Sequence, residues 1–143
     1  LEVIRNFTFQ GLIKLSELNM NYNLISFIEP MAFSGLVSLK KLLLKNNLIK
    51  SYSFDIFSNF ISEIDLAENL LKKIKKPSSL KQIKSFSILT LTSNDLVDLM
   101  DEWNKAFKIN LKEIDLSFNK FEKIKFYYFS DMKILTTLKL AYN

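Results

Sequence analysis

Aligned on asparagine, six segments of the chain share one arrangement of apolar and polar positions. They are LSELNMNYN (15–23), LKKLLLKNN (39–47), ISEIDLAEN (61–69), FSILTLTSN (86–94), LKEIDLSFN (111–119) and LTTLKLAYN (135–143). In each, the first, fourth and sixth positions are apolar and the ninth is asparagine. The fourth and sixth lie two apart, which is the strand period, so they face one way and their neighbours face the other. Each segment therefore predicts one short strand, half buried, that ends in an asparagine turn.

Asn23, Asn47, Asn69, Asn94, Asn119 and Asn143 are spaced 24, 22, 25, 25 and 24 residues apart, which marks an internal repeat. The stretch after the asparagine repeats as well. Ile25, Ile28, Phe33 and Leu36 recur as Ile49, Tyr52, Phe57 and Phe60, and again as Phe121, Ile124, Phe129 and Met132. Moved back one unit, the same set falls on Leu1, Ile4, Phe9 and Leu12, so the chain starts within a repeat and is expected to be a segment cut at both ends. No unit can bury its apolar side alone. Stacked, the units predict a parallel sheet with one continuous core, and Phe9, Phe33, Phe57 and Phe129 are expected to form an aromatic spine behind it. Two units lack that phenylalanine, and their substitutes Leu80 and Phe107 predict local bulges around 76–86 and 100–110.

The composition explains the role of asparagine. The chain has 2 Gly and 2 Pro in 143 residues, too few for a fold that reverses direction so often with ordinary turn chemistry. The asparagine amide can satisfy several buried backbone groups at each turn, so the six asparagines are expected to be a structural ladder.

LxxLxLxxN followed by the phenylalanine-containing half resembles the leucine-rich repeat of the 24-residue type found in animal extracellular proteins such as Toll-like receptor ectodomains. That resemblance covers the whole chain. It implies an α/β repeat fold, a right-handed leucine-rich-repeat solenoid or horseshoe. A parallel concave sheet of short strands would face irregular or short helical convex segments, with rungs starting near 15, 39, 61, 86, 111 and 135 of a single domain, 1–143. It also implies a protein-protein interaction module on a cell-surface or secreted receptor of innate-immunity type. The alternative is an intracellular, cytoplasmic scaffold or adaptor with the same repeats, which suits a chain without cysteine.

Other functional classes have little support in the residues. There is no Cys and no His, which removes thiolate metal sites, the commonest general base and the commonest metal ligand. No catalytic residue, metal site or cofactor is expected, and the chain is read as not an enzyme. The longest apolar run at Leu42, Leu43 and Leu44 is far too short for a membrane span. The net charge of +5 invites an anionic partner, so the placement of the charge matters.

The outward strand positions are Glu17, Asn19 and Asn21; Lys41, Leu43 and Lys45; Glu63, Asp65 and Ala67; Ile88, Thr90 and Thr92; Glu113, Asp115 and Ser117; and Thr137, Lys139 and Ala141. They carry three lysines against five carboxylates, so the basic excess lies elsewhere. Much of it follows the asparagines, in Lys72, Lys73, Lys75 and Lys76 and in Lys120, Lys123 and Lys125. A nucleic-acid ligand would use those lysines, but the chain lacks interleaved exposed aromatics and any base-reading module.

The expected binding face is an acidic strip for a basic protein ligand, formed by Glu63, Asp65, Glu113 and Asp115 with Thr90 and Thr92 between them. Beside it stand Phe118 and Tyr142, aromatic candidates for interface anchors just before their asparagines, with Tyr22 in the same place. Asn6-Phe7-Thr8 forms a glycosylation acceptor triplet. Self-association through uncapped rung ends is the remaining expectation.

Overall fold

The structure is a computed structural model that describes residues 1–53, 61–75, 85–99, 110–125 and 127–143. Six strands, β2 (Glu17–Asn19), β4 (Lys41–Leu43), β6 (Glu63–Asp65), β8 (Ile88–Thr90), β9 (Glu113–Asp115) and β10 (Thr137–Lys139), form one sheet in that order, every neighbouring pair parallel. The strands coincide with the six segments of the sequence pattern, and the register repeats that of the pattern: Leu18, Leu42, Ile64, Leu89, Ile114 and Leu138 stand opposite one another.

Their inward side chains build the core. Leu42, Ile64, Leu89 and Ile114 are 0–1% exposed, and the next inward position, Leu44, Leu66, Leu91 and Leu116, is fully buried. A buried side chain of this size contributes about 1.5–3 kcal/mol through the hydrophobic effect. The contribution exists only while a neighbouring rung covers the side chain, which ties stability to the stack as a whole.

The asparagine ladder joins rung to rung. Asn94 is typical: its Oδ1 accepts the Leu71 N–H of the previous rung at 3.0 Å, and its Nδ2 donates to the Leu66 carbonyl at 2.9 Å and the Leu91 carbonyl at 3.0 Å. Asn47, Asn69 and Asn119 repeat the arrangement, each buried to 8% exposure or less. Asn23 and Asn143 make the same type of bonds at the two ends. One side chain thus spans two rungs and satisfies groups that burial would otherwise orphan.

A feature hidden from the apolar pattern precedes each asparagine. Tyr22, Asn46, Glu68, Ser93, Phe118 and Tyr142 all have φ between 54° and 57°, the left-handed region. The N–H groups of the first five reach across to the next rung, as in Phe118 N–H to the Ala141 carbonyl at 2.8 Å. The turn is made without glycine because inter-rung bonds and the ladder hold these residues in an unfavourable conformation.

Beyond the turn run further strands of two or three residues. β1 (Val3–Ile4) pairs with β3 (Phe27–Ile28), and β5 (Ser51–Ser53) pairs with β7 (Lys73–Lys75), both parallel. The described residues contain no helix, so of the irregular or short helical segments expected there, strands and turns are what is found. The first two units are locked together by Asn6, whose Oδ1 accepts the Met31 N–H at 2.8 Å, and by Gly35, where an added Cβ would lie 2.9 Å from the Gln10 Cα. Gly35 is required there because no side chain fits between the backbones.

Phe9 and Phe33 stack as expected of the spine, with ring centroids 5.8 Å apart and planes 9° from parallel. The spine position next to Phe129, Phe107, lies outside the described residues. The fully buried ring in the unit of Phe129 is Tyr128, and Phe129 is only half buried, meeting Tyr128 edge-on at 6.3 Å. Tyr128 stands at the repeat position that Ala32 holds in an earlier unit, and both are buried. Phe57, Phe60, Leu80, Phe107 and the expected bulges fall on or beside residues outside the described set.

Candidate functional site

The face of the six-stranded sheet turned away from the core carries two rows of side chains. Register places Glu17, Lys41, Glu63, Ile88, Glu113 and Thr137 in one row, and Asn19, Leu43, Asp65, Thr90, Asp115 and Lys139 in the other. With strands about 4.8 Å apart, Glu63 and Glu113 flank Ile88 at roughly 10 Å, and Asp65 and Asp115 flank Thr90 likewise. The candidate residues Glu63, Asp65, Thr90, Glu113 and Asp115 therefore share one surface.

That surface is less acidic than the residue list implies, because the same register brings lysines beside the carboxylates. Lys41 Nζ lies 2.8 Å from Glu63, and Lys139 Nζ lies 3.9 Å from Asp115. At the rim Lys45 pairs with Glu68 at 3.0 Å. Among the described residues neither Asp65 nor Glu113 has an ion pair, and Glu113, whose side chain also accepts no hydrogen bond, is the open carboxylate of the strip.

The two aspartates also have structural work. Asp65 Oδ1 accepts the Ala67 N–H at 2.9 Å and Asp115 Oδ1 accepts the Ser117 N–H at 2.9 Å, as Asn19 does for Asn21 at 3.1 Å. Each is a local turn formed by an oxygen-bearing side chain, bonded to its own chain two residues on. Ala67 and Ser117, expected on the outer surface, are 3% and 5% exposed. The chain is already entering the left-handed turn there, which folds the position under its neighbours. Thr92 is half buried, and its hydroxyl donates to the Ser117 carbonyl at 2.9 Å, so it is a rung connector more than an open contact.

Burial raises the Asp65 carboxyl above the ordinary carboxylate value of 3.8, and the Ala67 N–H opposes this in part. Because the folded value exceeds the unfolded one, the stabilising contribution of protonation is complete below pH 3.8 and is lost as pH rises through the raised value. Asp65→Asn keeps the oxygen that accepts the Ala67 N–H and removes the charge. Its Tm is expected to exceed that of the parent at pH 7, with the gap closing toward pH 3. A lower Tm for the variant at pH 7 would show that the Asp65 charge is favourable.

Phe118 and Tyr142 stand at the side of the sheet, 52% and 78% exposed, with rings stacked at 4.6 Å and 17°. Tyr22 occupies the same place four rungs away and is 69% exposed. Residue choice alone missed a second lateral feature. Leu24, Leu48 and Leu70, each just past its asparagine, form an exposed apolar row. In the next two rungs Asp95 and Lys120 replace it with an ion pair at 2.6 Å. The strong periodicity of the buried positions masks this row, because it falls outside the repeating apolar frame.

The lysines past the asparagines divide into two groups. Lys120 and Lys125 are bound to Asp95 and Asp98, each at 2.6 Å, whereas Lys72, Lys73 and Lys75 are exposed. Lys76 lies outside the described residues. No group of three or more possible metal ligands occurs among the described residues, and no described helix is long and apolar enough to cross a membrane. Asn6 is exposed, with its amide oxygen engaged by Met31.

The family models that match the chain are both of leucine-rich repeats, over residues 1–49 and residues 110–132. No curated protein matches significantly. The crystal structure of the APL1 leucine-rich repeat domain superposes with a TM-score of 0.79 at 27% identity, covering 99% of this chain and 34% of that one. The LRIM1/APL1C complex gives 0.79 and 27%, over 99% of this chain and 24% of that one. The TLR13–ssRNA13 complex gives 0.77 and 25%, over 88% of this chain and 18% of that one. The chain thus spans about a third or less of each of these three structures. Repeat, ladder, parallel sheet and these likenesses agree: the chain belongs to the leucine-rich-repeat proteins.

Proposed function

We propose that the chain is the protein-binding part of a cell-surface or secreted receptor, and that a protein partner docks on the sheet face centred on Ile88, Thr90 and Glu113. The observation that carries this reading is the arrangement of that centre. Rungs on one side neutralise Glu63 through Lys41, and those on the other side place Lys139 near Asp115, while Glu113 remains open beside Ile88 and Thr90. An apolar and hydroxyl-bearing centre with one open carboxylate, framed by ion pairs, suits a partner presenting a basic side chain among apolar ones. The stacked Phe118 and Tyr142 at its side offer an aromatic anchor. One similar structure is a complex of two leucine-rich-repeat chains, LRIM1 and APL1C, which supports a protein partner.

A nucleic-acid ligand has one observation in its favour, the likeness to the TLR13–ssRNA13 complex. Against it, the sheet face carries more carboxylates than lysines, and two of the flanking lysines are held by Asp95 and Asp98. An intracellular scaffold would use the same face, so the address of the protein is a separate question from its binding mode.

A photo-crosslinking side chain placed at Thr90 tests the reading, with Lys123 on the flank as comparison. The expected result is a discrete protein adduct from position 90 and none from position 123. Adducts from position 123 alone, or an RNA adduct at either, would overturn it.

A further inference from the structure

The ladder asparagines and Asn6 use the side-chain amide in opposite ways. In the ladder the amide nitrogen is buried and donates to carbonyls of two rungs, as Asn47 Nδ2 does to those of Met20 and Leu44, each at 3.0 Å. In the Asn6 side chain only the oxygen is engaged, by the Met31 N–H at 2.8 Å, and the nitrogen makes no hydrogen bond among the described residues. The residue is exposed, in the turn that follows β1. The fold therefore anchors this side chain through its oxygen and leaves an amide hydrogen replaceable.

Asn6-Phe7-Thr8 is also the only Asn-x-Ser/Thr triplet in the sequence. The repeat itself keeps such triplets off the ladder, because the second residue past each of the first five ladder asparagines is a buried apolar one: Ile25, Ile49, Leu71, Leu96 and Phe121. Beside the Asn6 amide stand two apolar side chains that the fold leaves open. Phe7 is 50% and Met31 47% exposed, and the Phe7 N–H donates to the Met31 carbonyl at 3.2 Å.

We propose that Asn6 carries an N-linked glycan, which shields Phe7 and Met31. Such a glycan requires the secreted or cell-surface address proposed above, on which this reading rests. The sugar donor is an oligosaccharide carried on a lipid diphosphate. Asn6 Nδ2 forms a bond to the anomeric carbon, the bond from that carbon to the diphosphate oxygen breaks, the lipid diphosphate leaves, and one amide proton passes to solvent. The product retains the oxygen that accepts the Met31 N–H. Thr8, which completes the acceptor, donates its hydroxyl to the Arg5 carbonyl at 2.7 Å in the folded chain, so the transfer precedes closure of this turn.

The test is expression of the chain in animal cells behind a supplied signal peptide, with a second acceptor triplet in a C-terminal tag, and mass spectrometry of the secreted product. Glycan is expected on Asn6 in the parent and in Thr8→Ser, and none there in Asn6→Gln or in Thr8→Ala, the latter of which leaves the Asn6 amide itself unchanged. Peroxide should oxidise Met31 about threefold or more slowly in the glycosylated parent than in Thr8→Ala, because thioether oxidation follows exposure. A bare Asn6 beside a glycosylated tag would overturn the proposal, and equal oxidation of Met31 in the two forms would overturn the shielding. Because the signal peptide is supplied, neither result depends on the natural address. That reading fails instead if the protein in its own cells is found in the cytosol.

Discussion

Asn94→Leu is expected to destabilise the chain by about 2–4 kcal/mol, although the two side chains are similar in size. The Leu71 N–H would lose its bond to Asn94 Oδ1 in a buried setting. The Leu66 and Leu91 carbonyls would each lose one of two amide donors, keeping only those of Asn69 and Asn119. A leucine offers none of these bonds, and it would bring apolar volume to a place shaped for an amide. Asn19→Leu is the control. Asn19 is exposed and makes a single local bond to the Asn21 N–H, so about 0.5 kcal/mol or less is expected. Urea unfolding of both variants and the parent provides the comparison. Equal losses at the two positions would mean that the ladder does not hold the rungs together.

The ladder and the main sheet were legible in the sequence because both depend on residue identity at fixed spacing. Leu42, Ile64, Leu89 and Ile114 had to be apolar and in register for any stacked arrangement to bury them. Asparagine was the one residue able to close so many turns in a chain with two glycines. Other features depend on geometry that spacing does not encode. The sequence lists Lys41 and Glu63 in different segments, and only the strand register makes them a pair at 2.8 Å. The same holds for the local bonds of Asp65 and Asp115, which turn two apparent ligand carboxylates into partial supports of the turn. Tyr128 was not legible either, because the repeat template marks position 129 as aromatic and says nothing of the buried ring beside it.

Charge reversal on the sheet face is the other change with a large expected effect. Glu63→Lys with Glu113→Lys should slow association of the partner captured at position 90 by about tenfold or more, and added salt should weaken the difference. Both residues point away from the core. The pair that Glu63 makes with Lys41 is a surface pair of small energetic weight, so the fold should survive. Asp115 is better left unchanged, because its oxygen holds the Ser117 N–H and its replacement would mix binding with folding. Lys72→Glu with Lys73→Glu, on the flank, should change association by about twofold or less, since those side chains lie outside the proposed contact. The most direct test is a titration of that partner against the parent and both double variants at low and at physiological salt. The account predicts loss of binding on reversal of Glu63 and Glu113 alone. Unchanged binding by that variant, with loss on reversal of Lys72 and Lys73, would contradict it.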